Sequence, residues 1–146
     1  MGQQQLLLLV LSTVIVGLAT VAGIQAFSEN QAQATQDALT QRGIEIANDI
    51  AAANGKPDQM GGIDLTNNPN ASDIADAIAG YSSATIDAQG AGNDGSCTIQ
   101  DASSSRVNVL CTASDSPQDV TVGLDPSADT QIQTEFGSGV NDPHSS

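Results

Sequence analysis

No residue before Glu29 carries a charged side chain, and within that opening Leu6 to Phe27 forms an uncharged, predominantly apolar run of 22 residues. As a helix rising about 1.5 Å per residue it spans roughly 33 Å, close to the hydrocarbon core of a bilayer at about 30 Å. Its leucines, valines and isoleucines leave no stripe of period 3.6, so such a helix is apolar all round and needs cover on every side. Whatever else the chain folds into, it has to find that cover.

Three fates satisfy the requirement. A secretory signal is removed after a basic start, an apolar stretch of about 7 to 15 residues and a small-residue cleavage site. Here the start holds no Lys or Arg and the stretch is longer, although Ala32-Gln33-Ala34 offers a cleavage triplet. A single-pass anchor stays in lipid, but without flanking Lys or Arg the positive-inside rule gives it no orientation. The third fate is burial among copies of the same helix, and the residues that follow favour it.

From Ser28 to Ala53 the chain has no Pro, one Gly, and Ala32, Thr35, Leu39, Ile46 and Ile50 at helical spacing, which predicts a helix with one buried face. Only Gly23 interrupts the join to the apolar run, so one helix is expected from about Gln5 to Ala53, on the order of 70 Å long. Asn54-Gly55-Lys56-Pro57 should end it, with Asn or Gly in the left-handed C′ position and Pro57 unable to continue. Three regions result: residues 1–28, the apolar half of the helix; 29–54, its amphipathic half; and 55–146, a small acidic head.

The head holds 15 Leu, Ile, Val or Phe among 92 residues, a thin core for one small domain. It calls for support from the Leu39, Ile46 and Ile50 face, from neighbouring subunits, or from a disulfide. Ser72 to Gly80 reads as a short helix capped by Ser72. Alternation at Ala84/Ile86/Ala88, Cys97/Ile99, Val107/Val109/Cys111 and Val120/Val122/Leu124 predicts four antiparallel strands. If the DASSSR segment closes a hairpin with Asp101 opposite Val107, then Ile99 faces Val109 and Cys97 faces Cys111. A disulfide there closes a 15-residue loop, contributing about 3 kcal/mol on the chain-entropy model. A short turn over Ser114 to Pro117 then sets Val109 beside Val122. The tail from Pro126 is polar, with Ile132, Phe136 and Val140 as its sizeable anchors, and is given no element. The expected class is α+β: a long N-terminal helix packed on a small antiparallel sheet.

Together, Gly2 ahead of a polar-then-apolar start, the run Leu6 to Phe27, the amphipathic continuation to Ala53 and a small β-rich head with two cysteines resemble the type IV pilin and pseudopilin superfamily. The resemblance implies a leader cut after a Gly, here Gly2, and an apolar half-helix held in the inner membrane until assembly machinery packs it into an extracellular filament of identical subunits. Its assembly contacts would fall on Gln3, Gln4, Gln5, Leu7, Leu11, Gly17, Gly23 and Phe27. The family favours Glu as the fifth mature residue; cutting after Gly2 puts Leu7 there, and an uncut chain has Gln5. The amides of Gln3, Gln4 and Gln5, at a helix start whose first four N–H groups lack intrahelical partners, offer an uncharged substitute for registering neighbours; a seat at the headgroup boundary is the other reading. Gly17, Ala19, Thr20, Ala22 and Gly23 allow helices to approach closely.

All the charge lies beyond the apolar run: 17 acids, 14 of them Asp, against Arg42, Lys56 and Arg106, for a net −14. Such a surface repels nucleic acid and anionic headgroups. It suits carboxylate hydration in brine, where about 1 M salt shrinks the screening length to about 3 Å, or simply an acidic exported domain. No catalytic site is read: the single His144 lies in the tail without a second base or nucleophile. No cofactor is expected, and the Asp64 to Asp73 loops do not match an EF-hand. Asn70-Ala71-Ser72 fits the N-glycosylation acceptor pattern. The runner-up to a filament subunit is a membrane-anchored or secreted acidic binding domain that does not polymerise.

Overall fold

The computed structural model describes residues 2–78, 80–137 and 143. Helix α1 spans Gly2–Asn54. The chain divides into two compact units within that helix, residues 1–32 and 33–146, and each is described by itself. The helix starts three residues before Gln5. Its end differs more from expectation: neither Asn54 nor Gly55 takes a positive φ. Instead Lys56 N–H closes a tighter turn on Ala53 O at 3.1 Å, and Ile63 N–H returns to the same carbonyl at 3.2 Å. The Asn54 side chain accepts from Leu65 N–H at 3.1 Å, so the returning chain satisfies the helix end that a left-handed residue was expected to serve.

Residues 33–146 form an α+β unit. The second half of α1 buries Thr35, Leu39, Gly43, Ile46, Ala47, Ile50 and Ala53, a single face at three- and four-residue spacing. A short helix α2, Ala71–Ala77, adds Ile74 and Ala75 to the core. Its N-cap is Asn70 rather than Ser72, and the capping acceptor comes from elsewhere: Asp101 Oδ1 receives Ala71 N–H at 2.8 Å.

Five strands follow: β1 Thr85–Asp87, β2 Ser96–Ile99, β3 Val107–Thr112, β4 Asp119–Leu124 and β5 Ile132–Gly137. They form one sheet in sequence order, each pair antiparallel. Cys97 faces Cys111, Ile99 faces Val109, and Val109 in turn faces Val122, as the alternation predicted. Period-2 alternation puts Cys97, Ile99, Val107, Val109, Cys111, Val120, Val122 and Leu124 in one core with the helix face, each at most 1% exposed.

Two strand expectations are corrected. The paired residues of β2 and β3 end at Ile99 and Val109, with one further bond from Gln100 N–H to Asn108 O at 2.9 Å. Asp101 is not paired with Val107; its carboxylate accepts Ala71 N–H of α2. The hairpin closes through a Ser103–Arg106 bridge, with Ser104 and Ser105 in the left-handed region at φ 53° and 66°. The tail, given no element from sequence, contributes β5, with Ile132 opposite Leu124 and Phe136 opposite Val120. Its apolar members are few because it is an edge strand, leaving Phe136 half exposed. Val140 and His144 lie outside the described residues.

Candidate functional site

The feature with the largest unmet physical demand is the first unit. Leu6, Leu7, Leu8, Leu9, Val10 and Leu11 are each at least 55% exposed, and the pattern continues through Phe27 at 73%. Part of α1 has a mean hydropathy of 2.5 with none of that window buried, long and apolar enough to cross a membrane, a test that a signal sequence near an N-terminus also passes. Contiguous apolar surface on this scale marks an interaction with lipid or protein.

The hydroxyl side chains inside the run are already satisfied. Ser12 Oγ donates to Leu8 O at 2.8 Å, Thr13 Oγ1 to Val10 O at 2.8 Å, and Thr20 Oγ1 to Gly17 O at 2.8 Å. Between Leu6 and Ile24 these three hydroxyls are the only polar side-chain groups, so this stretch can enter dry surroundings without leaving a side-chain donor unpaired. The signal was present in the sequence as Ser and Thr placed three or four residues after backbone acceptors.

A Cβ added at Gly17 or Gly23 meets nothing within 4 Å. Gly2 and the amides Gln3, Gln4 and Gln5 are exposed in the first turns of α1, as are Leu7 and Leu11. All the residues on which the resemblance would place assembly contacts therefore lie in the first unit and are exposed. Cys97 and Cys111 form a disulfide, with Cα atoms 3.9 Å apart and both residues buried. Asn70 is exposed.

No family model matches the chain, and no curated protein or solved structure does either.

The second unit contains one residue whose role the sequence reading passed over. A Cβ built on Gly43 would lie 2.7 Å from Val122 Cγ2 and 3.2 Å from Cys111 Sγ, so the helix sits directly against the disulfide and the central strands. The clue was position: Gly43 falls four residues after Leu39 and three before Ile46, in the middle of the buried face. Gly there is tolerated despite its helix cost because it permits the close approach.

Electrostatics in this unit serve its own loops. Asp125, 5% exposed, receives the Ser127 hydroxyl and N–H and Arg106 Nε, the last at 2.9 Å. Those Ser127 bonds, and then Arg106, hold its carboxyl below the usual carboxylate range against the opposing effect of burial. Asp94 is lowered by its bond from Ser114, which ties the β1–β2 loop to the turn after β3. Asp64 is lowered by Thr66, which it caps at a one-turn 3-10 helix, Leu65–Asn67. Among the described residues no group of three or more His, Cys, Asp or Glu is placed to hold a metal ion.

Proposed function

We propose that this chain is the structural subunit of a type IV pilus-like extracellular filament. The observation that carries the reading is the exposed, uncharged run Leu6 to Phe27, apolar on all sides and with its hydroxyls satisfied internally. It lies in the same helix whose later half is seated on a disulfide-braced sheet. Lipid covers an apolar helix as fully as other helices do, so what favours helix neighbours is close van der Waals packing, for which Gly17 and Gly23 leave room. In this reading the run rests in the inner membrane after processing at Gly2. Assembly machinery then transfers it into a filament core, where it is covered by Leu7, Leu11 and Phe27 of copies of itself. The acidic heads coat the outside, where mutual repulsion between neighbouring heads is screened by salt.

A second reading shares the same observation. The run is long enough to cross a bilayer once, which would make the chain an anchored acidic binding domain. Electron microscopy and mass spectrometry of material sheared from cells separate the two. Filaments composed of this chain support assembly; a detergent-soluble monomer and no filaments would sink it. A mature N-terminus near Thr35 would sink the filament and the anchor alike and leave a secreted acidic binding domain, because the run would then be a discarded signal.

A further inference from the structure

Of the nine asparagines in the chain, only Asn70 is followed two residues later by Ser or Thr. The fold treats this residue unlike its neighbours. Asn68 Oδ1 accepts Ser105 N–H at 3.2 Å, Pro69 O accepts Ala102 N–H at 2.9 Å, and Ala71 N–H donates to Asp101 Oδ1 at 2.8 Å. Three bonds thus fasten residues 68–71 to the 101–105 loop. Asn70 stands at the N-cap of α2, where an Asn ordinarily accepts a helix N–H. The Asn70 side chain makes no such bond; the first helix N–H, that of Ala71, goes to Asp101. Asn70 and Ser72 are both exposed, with Asn70 in an extended conformation at φ −71° and ψ 158°.

We infer that Asn70 is an N-glycosylation site, its exposed carboxamide free for modification because it makes no capping bond to the helix it precedes. The donor is a lipid-phosphate-linked oligosaccharide. Asn70 Nδ2 bonds to the anomeric carbon of the donor sugar as that carbon's bond to the phosphate oxygen breaks. The lipid phosphate leaves with the bonding pair, and the amide gives up one proton. Ser72 supplies the hydroxyl that the acceptor pattern requires two residues on. The inference rests on the proposed export of the head, since such donors are used on the outer side of a membrane.

Cleavage before aspartates releases residues 64–72 as one peptide, because Asp64 and Asp73 bound it. The test is mass spectrometry of that peptide from the full chain purified from its native cells, with fragmentation that keeps glycans attached. The expected result is a sugar mass on Asn70 in most chains, lost in Asn70→Gln and in Ser72→Ala and retained in Ser72→Thr. Unchanged thermal unfolding of Asn70→Gln is also expected, because the Asn70 side chain makes no capping bond to lose. An unmodified peptide, or sugar on Thr66 or Ser72 instead, overturns the inference whichever cell fraction holds the chain. Sugar on Asn70 in a chain never found in filaments would leave the site standing and remove the filament reading.

Discussion

From Thr35 to Ala53 the apolar side chains of α1 keep to one face and are covered by the protein's own sheet, whereas from Leu6 to Phe27 they surround the helix and stay exposed. Glycine shows the contrast most directly. At Gly43 the missing side chain is filled by Val122 and the disulfide; at Gly17 and Gly23 the same omission opens onto empty space. The first is a finished contact within one chain, and the others are surfaces that the chain itself leaves uncovered. One helix therefore separates what folding must bury from what a second event must bury.

Placing a charge in each region breaks the comparison most forcefully. Ile46 is fully buried, so Ile46→Arg should prevent the head from folding, seen as loss of the cooperative thermal transition. Val14 is 52% exposed, so Val14→Arg should leave that transition unchanged. It should nonetheless abolish filaments, because an Arg at the centre of an apolar helix costs about 2.5–3.5 kcal/mol in lipid and lacks a partner in a core of like helices. Normal filaments from Val14→Arg would show that the run is not packed in their interior.

The disulfide comes next. Reduction, or the Cys97→Ser/Cys111→Ser pair, should destabilise the head by about 3 kcal/mol, read from the urea midpoint. Both sulfurs are buried beneath Gly43, so the loss should be confined to the second unit. Helicity of a detergent-held peptide covering residues 2–32 should not change.

The same substitution should have opposite signs at the two kinds of glycine. Gly43→Ala gains about 1 kcal/mol of helix propensity but forces Val122 and the disulfide aside at about 1–3 kcal/mol. Modest destabilisation by chemical denaturation is expected, growing with Gly43→Val. Gly17→Ala gains the propensity with no clash in the single chain. Weakened or absent filaments from Gly17→Ala would place a neighbour's backbone against that position; filaments of unchanged stability would place the contact elsewhere on the helix.

How much of this was legible from sequence follows the strength of each local signal. The helix, the central strands and the Cys97–Cys111 register were readable because buried alternation is unambiguous when both neighbours are strands. β5 was not, since an edge strand covered on one side needs few apolar residues and Ile132 and Phe136 alone resemble a polar tail. Gly43 was hidden because a glycine looks the same in a sequence whether it marks a break or a close approach; only the position of β4 tells them apart. The Asp101 cap was equally out of reach, since a contact across 30 residues leaves no local pattern. The apolar run is legible in the opposite sense: its pattern is plain, and its own fold does not cover it.

Acid should act on the second unit, with a smaller effect than the substitutions above. Asp125 has its folded pKa lowered by Ser127 and Arg106, so its contribution to stability is complete above the unfolded carboxylate value. It is lost as pH falls from there through the lower folded value, a window below about pH 4. Asp125→Asn should reduce stability at pH 7 and flatten the acid limb of the stability curve, because one fewer group takes up a proton on unfolding. Ser127→Ala removes the hydroxyl donor and should move the limb in the same direction by less, since the N–H and Arg106 still bind the carboxylate. The first unit has no charged side chain before Glu29, so packing among its apolar side chains should ignore pH. Filaments would then persist at a pH where the heads have begun to unfold, measured as intact fibres by microscopy beside a lost near-ultraviolet signal from Tyr81 and the disulfide. Fibres that dissolve in step with head unfolding would mean that contacts between heads, rather than the buried helices, hold the polymer together.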